Sequence, residues 1–154
     1  GGRVAVALAR ALAAERVAVA VVVLDADRAL MPRPRRRRDG ADLDAVLAGE
    51  ARWSDAVAPL GDHGPWLIAP SPGARRDGAR PALDGLLGQL GRRFDRVLVA
   101  GADLERAETL RAARACQGVL VVVERGRTRG ADLGRGLTEL DAVGSAAGGL
   151  VLVG

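Results

Sequence analysis

A chain of 154 residues is long enough to bury a core without metal or disulfide staples, and it is read as a single domain over 1–154. Its hydrophobic residues make up 49% of the chain but arrive in short runs such as 17–24, 97–100, 119–123 and 150–153, too short for a bilayer-spanning helix. One cysteine, Cys116, and one histidine, His63, exclude an internal disulfide and Cys/His zinc sites, and a reducing, cytoplasmic setting is the expectation.

In chain order, residues 5–16 are strong helix formers with an apolar stripe through Leu8 and Leu12, and a helix is expected there. Residues 17–24 form a β-branched run without polar interruption, the pattern of a strand buried on both faces of a parallel sheet. It ends in Asp25-Ala26-Asp27. Two prolines and Arg33, Arg35, Arg36, Arg37 and Arg38 make 32–40 a solvated loop. Short helices are expected over 42–48 and 54–57, the second capped by Ser54. A short strand follows over 66–69, then an exposed Pro/Gly/Arg loop over 70–81.

From there helices over 82–93, 104–115 and 131–143 alternate with strands over 96–100, 118–123 and 148–153. Such alternation implies right-handed crossovers and a mainly parallel α/β sheet with helices on both faces. Ligands in such sheets sit beyond the carboxyl ends of the strands, here near Asp25, Asp27, Ala100, Gly101 and Glu124.

Residues 21–34, VVVLDADRALMPRP, resemble the strand and acidic turn of the bacterial tyrosine kinases that accompany capsule and exopolysaccharide assembly. The same Asp-Ala-Asp turn occurs in related septum-positioning and plasmid-partition ATPases of the P-loop branch. Residues 40–57, GADLDAVLAGEARWSDAV, look like the kinase group's insertion, Gly-Leu-Ser-Asp-Val-Leu-x-Gly followed by a second acidic-apolar turn. Residues 94–100, FDRVLVA, stand where that group has Tyr/Phe-Asp-x-Val-Ile-Ile-Asp. Residues 118–124 with Gly126-Arg127-Thr128 are similar to its Asp-Gly-Val-Leu-Val-Val-Arg-x-Gly-x-Thr.

The resemblance implies a three-layer P-loop NTPase-like domain, ATP and Mg2+ as cofactors, and a membrane-anchored polysaccharide co-polymerase or assembly protein as partner. It further implies a place at the inner face of the membrane through that partner, and a homo-oligomer.

Several departures bear on the chemistry. The family's Gly-Lys-Ser/Thr-Thr should precede the first helix, whereas this chain opens Gly1-Gly2-Arg3-Val4, with no lysine and no hydroxyl residue ahead of Leu8. The expectation is a chain lacking its first strand and P-loop. Gly1 and Gly2 are read either as remnants of a glycine loop that favours anions at a helix N-terminus or as a ragged end.

The magnesium-holding Asp of the second motif falls on Ala100, and its Thr-Pro-Pro on Gly101-Ala102-Asp103. Asp103 is read as the N-cap of a helix opening at Leu104, or as a stand-in cofactor ligand. The Asn that closes the family's last strand and helps recognise adenine is replaced by Val153.

Asp25 and Asp27 remain as candidate catalytic and metal-binding residues, or as residues that fix a turn through side-chain to backbone bonds. The arginine run suits phosphate-bearing partners or is simply solvated; without neighbouring aromatic residues, nucleic acid is not expected. His63 is read as a surface residue, and Cys116 as buried packing. The chain has no tyrosine, so it offers no site for tyrosine autophosphorylation.

The functional expectation is a degenerate, non-catalytic regulatory or scaffold module in polysaccharide biosynthesis or export. The alternatives are an active tyrosine kinase whose P-loop lies upstream, and a septum-positioning or partition-type ATPase relative.

Overall fold

In a computed structural model, the described residues are 1–25, 41–62, 64–70 and 82–154. The arginine run, Asp27, His63 and residues 71–81 of the loop expected over 70–81 lie outside them. The described chain forms two compact units, residues 1–100 and 101–154.

The first unit runs α1 (Gly2–Ala14), β1 (Val19–Val23), α2 (Leu43–Leu47), α3 (Trp53–Ala56), β2 (Ala58–Pro59), β3 (Trp66–Ile68), α4 (Leu83–Gly91) and β4 (Arg96–Ala100). Its sheet has the order β2-β3-β1-β4. β1 is parallel to both neighbours, with Val21 opposite Leu67 on one side and Leu98 on the other. Every residue of β1 is buried, as expected of an unbroken apolar run between parallel partners. β2, a two-residue strand antiparallel to β3, was not foreseen; a pair ending in proline carries no strand signal of its own.

Val6 and Ala9 of α1 are buried in one cluster with Val19, Val21, Val23 and Leu67, and Ala5, Leu12, Val17 and Leu98 pack against it. Positions 5, 9 and 12 share one helical face, which is why this stripe meets the sheet. The helix stops two residues before the expected end. Arg16 adopts φ 64°, and its amide donates to the Ala13 carbonyl at 3.0 Å, turning the chain sharply into β1. Asp42 caps α2 from an extended backbone, its Oδ1 accepting from the Ala45 amide at 2.8 Å. The expected Ser54 cap of α3 is corrected: Arg52 holds the N-cap position without a side-chain cap bond, and Ser54 lies inside the helix. Trp53, the first helical residue, packs edge-on against Phe94 with ring centroids 6.1 Å apart, a tertiary contact that competes with the local capping preference.

The second unit runs α5 (Ala107–Ala115), β5 (Val119–Glu124), α6 (Gly130–Ala142) and β6 (Ala147–Val153), with β5 and β6 parallel. Ala113, Val121 and Leu140 form its core, with Leu104, Leu110, Leu133 and Leu137 packed around them. The helix expected from residue 104 begins only at Ala107, with Arg106 as its N-cap. Leu104 is held instead against α6: a Cβ on Gly136 would lie 2.8 Å from Leu104 Cδ1. That close approach needs a residue without a side chain at position 136. Among the described residues, no helix is long and apolar enough to cross a membrane.

Candidate functional site

β1 and β4 end side by side, Val23 opposite Ala100. The ladder continues one residue further, with the Leu24 amide donating to the Ala100 carbonyl at 2.9 Å. Asp25 follows, half-buried, at the carboxyl ends where an open α/β sheet takes its ligands.

α1 enters the amino end of β1 through residues 15–18. A helix of 13 residues, about 20 Å long, therefore carries its own N-terminus back towards the carboxyl ends of the strands. Gly1 is its N-cap, with no side-chain cap bond, and the Gly1 carbonyl accepts from the Ala5 amide at 3.1 Å. The fold thus brings Gly1, Gly2 and Asp25 to one end of the first unit, and Asp27 lies outside the described residues.

Arg3 and Val4 follow Gly2 in the chain, and Ala100 ends β4. Arg3 and Val4 occupy the first turn of α1, where a P-loop places its Lys and Ser/Thr. Arginine supplies positive charge as a wide planar fork rather than as a compact ammonium, and valine has no oxygen. The methyl group of Ala100 cannot hold a metal-bound water.

Asp103 belongs to the second unit, where it builds a turn. Its Oδ1 accepts from the Glu105 amide at 3.1 Å, and its carbonyl accepts from the Arg106 amide at 3.2 Å. The expected role as N-cap at Leu104 is therefore corrected to an internal turn bond, because the helix starts later. Arg135 of α6 secures the turn, its Nε donating to Glu105 Oε1 at 3.0 Å and its Nη2 to Asp132 Oδ1 at 2.5 Å. A Cβ on Gly101 would lie 2.6 Å from Thr109 Cγ2 and 2.9 Å from its Oγ1, so the chain leaving β4 passes too close to α5 for a side chain at that position.

One functional-looking carboxylate has a structural task that local reading did not find. Asp95, in the stretch that resembles the family's second motif, accepts from the Ala18 amide through Oδ2 at 2.9 Å. This bond closes the amino end of the β1–β4 ladder, opposite to the candidate site. Its partner is 77 residues away, so no local pattern signals it. Among the described residues, no group of three or more His, Cys, Asp or Glu is arranged to hold a metal ion.

Cys116, at the C-cap of α5, is half-buried, and burial pushes its thiol above the ordinary 9.0. The native state therefore keeps its proton to higher pH than the unfolded chain does. Any stability this contributes is present below the unfolded pKa and is lost as pH rises through the folded value. Alkylation by iodoacetamide at pH 8 is expected to be slower in the native protein than in urea. Equal rates in the two would show a thiol with no such protection.

Neither a protein-family model nor a curated protein matches this chain. Solved structures do. The kinase domain of Escherichia coli tyrosine kinase ETK superposes with a TM-score of 0.82 at 18% identity, over 98% of this chain and 61% of that one. The MinC:MinD cell division protein complex of Aquifex aeolicus gives 0.77 at 15% identity, over 98% and 62%. Cobyrinic acid a,c-diamide synthase from Mycobacterium smegmatis, solved with an ATP analog and magnesium, gives 0.72 at 25% identity, over 98% and 66%.

The fold is therefore the α/β fold of the P-loop NTPases. Its particular form is similar to that of bacterial tyrosine kinase domains and of the related ATPases. The chain spans 61% to 66% of the length of the three structures named.

Proposed function

We propose that this chain is a degenerate nucleotide-binding-type domain of the exopolysaccharide-assembly tyrosine kinase kind, acting as a non-catalytic regulatory or scaffold module in polysaccharide biosynthesis or export. Its working contacts are with a membrane-anchored assembly protein and with further copies of itself. The observation that carries this reading is the donor set at the carboxyl end of the first unit. Ala100 stands at the end of β4 and Val4 in the first turn of α1, where the chemistry calls for a carboxylate and a hydroxyl.

Phosphoryl transfer by such a scaffold is mostly positioning and charge neutralisation. Magnesium needs oxygen ligands in near-octahedral array. Asp25 alone among Arg3, Val4 and Ala100 offers a carboxylate, so these residues do not fit magnesium-ATP and no reaction step is assigned to it. The likeness to the ETK kinase domain supports the choice of scaffold, and the absence of tyrosine supports a role other than self-phosphorylation within these residues.

Calorimetric titration with ATP and magnesium is expected to give a dissociation constant weaker than about 1 mM, with no phosphate released above the blank. Micromolar, magnesium-dependent affinity would return the chain to the active ATPases and kinases.

A further inference from the structure

The aromatic residues of the chain, Trp53, Trp66 and Phe94, all lie in the first unit, and the fold gathers them at the amino ends of its parallel strands. Trp66 opens β3 level with Ala20 of β1 and is 40% exposed. Phe94 stands just ahead of β4, and Trp53 reaches the same end through its edge-on contact with Phe94.

Arginines surround them. Val19 and Arg96 are level at the starts of β1 and β4. Arg16 precedes the first of these strands, and Arg92 and Arg93 lead from α4 into the second. Arg52 is the N-cap beside Trp53. Each of these arginines is exposed. The acids at this end are fewer: Glu15, Asp55, Asp62 and Asp95, of which Asp95 is turned to the Ala18 amide at 2.9 Å.

A helix dipole favours cations at its carboxyl end, which accounts for Arg92 and Arg93 taken alone. It does not account for an indole left exposed at the start of a strand, nor for Arg52, which precedes a helix. The amphipathic indole, and arginine with its apolar stem and charged head, suit the boundary between water and lipid. Clustered basic residues are drawn to an anionic bilayer surface. Single-stranded nucleic acid would need free ring faces for its bases, whereas Trp53 and Phe94 are packed against each other, both half-buried.

We propose that the amino end of the first unit is a contact surface for anionic phospholipid, with the arginines set towards the headgroup phosphates and Trp66 entering the headgroup layer. Association of this kind is reversible, since it takes place at the bilayer surface. It uses the end of the unit opposite to the candidate site. The inference rests on the residues of this face, not on the proposed loss of nucleotide chemistry, and each can fail without the other.

Sedimentation of the full chain with lipid vesicles tests it. Binding is expected to vesicles of phosphatidylcholine mixed with phosphatidylglycerol, weakening as salt is raised, and not to phosphatidylcholine alone. Arg92→Gln combined with Arg93→Gln is expected to lower the affinity about tenfold or more, with the urea midpoint of tryptophan fluorescence unchanged. On binding, tryptophan emission is expected to shift to the blue, and Trp66→Phe to remove most of that shift. Arg35→Gln combined with Arg36→Gln, in the separate arginine run, is the control and is expected to change the affinity by less than about threefold. No binding, or equal binding to both vesicle types, would overturn the proposal. So would a loss confined to the Arg35 and Arg36 variant. Tighter binding to duplex DNA or to polyglutamate than to the anionic vesicles would overturn it in favour of a nucleic-acid or an acidic protein partner.

Discussion

Val21→Asp is expected to abolish the cooperative unfolding transition of residues 1–100. Val21 is fully buried in β1, opposite Leu67 on β3 and Leu98 on β4, and it shares its cluster with Val6 and Ala9 of α1. A carboxylate placed there would be surrounded by apolar side chains. Removing an ion from water into such a site costs several kcal/mol after relaxation. Protonation would lower that cost but still bury an unsatisfied acid, at about 1–3 kcal/mol, on top of the lost packing. Whole domains are stable by only about 5–15 kcal/mol.

Trp53 and Trp66, the two tryptophans, both lie in this unit. Their fluorescence in a urea titration is expected to lose its sigmoid, whereas Val21→Ala should keep one with a lower midpoint. A Val21→Asp transition within about 1 kcal/mol of the parent's would show that the strand is not enclosed as described.

Leu140→Ala is expected to destabilise residues 101–154 by about 2–5 kcal/mol. Leu140 is fully buried and sits with Ala113 and Val121 at the centre of the second core. Truncation removes its transfer free energy and leaves a cavity, and Ala113 is too small to fill the space. A unit of this size has a small core, so the loss is a large share of what holds it together. Tryptophan emission does not report on this unit, because Trp53, Trp66 and Phe94 all lie in residues 1–100. Amide exchange at Val121, which is buried on β5, is the suitable readout. Protection there unchanged by the substitution would count against Leu140 as the centre of the core.

Much of the architecture was legible in the residues. The run 17–24 reads as a strand enclosed on both faces, and β1 is buried throughout. The strand over 96–100 was bounded as the fold has it. The alternation from residue 82 onward yields the observed order of helices and strands. The Asp-Ala-Asp turn and the segments around it pointed to the P-loop family of folds, and the superposition on the ETK kinase domain agrees.

The boundaries that went astray have a common origin. Local rules place a cap at Ser54 and a helix from residue 104. Trp53 against Phe94 and Leu104 against Gly136 are contacts with partners 41 and 32 residues away in the numbering, which no local window includes.

The candidate site divides in the same way. That Arg3 and Val4 carry no ammonium or hydroxyl, and Ala100 no carboxylate, was readable from residue identity, because such a group is either present in a side chain or not. That Gly1, Gly2 and Asp25 share one end of a unit, while Asp103 serves a turn in the other, was not. Nor was the task of Asp95, whose carboxylate closes the ladder at Ala18.

By itself, then, the sequence determined the kinds of element and their order, since propensity and periodicity are properties of residues and short windows. Only the tertiary structure decided which strand ends lie together and which helices start late. Those outcomes depend on burial and hydrogen bonding between segments distant in the chain, where packing free energy outweighs local preference.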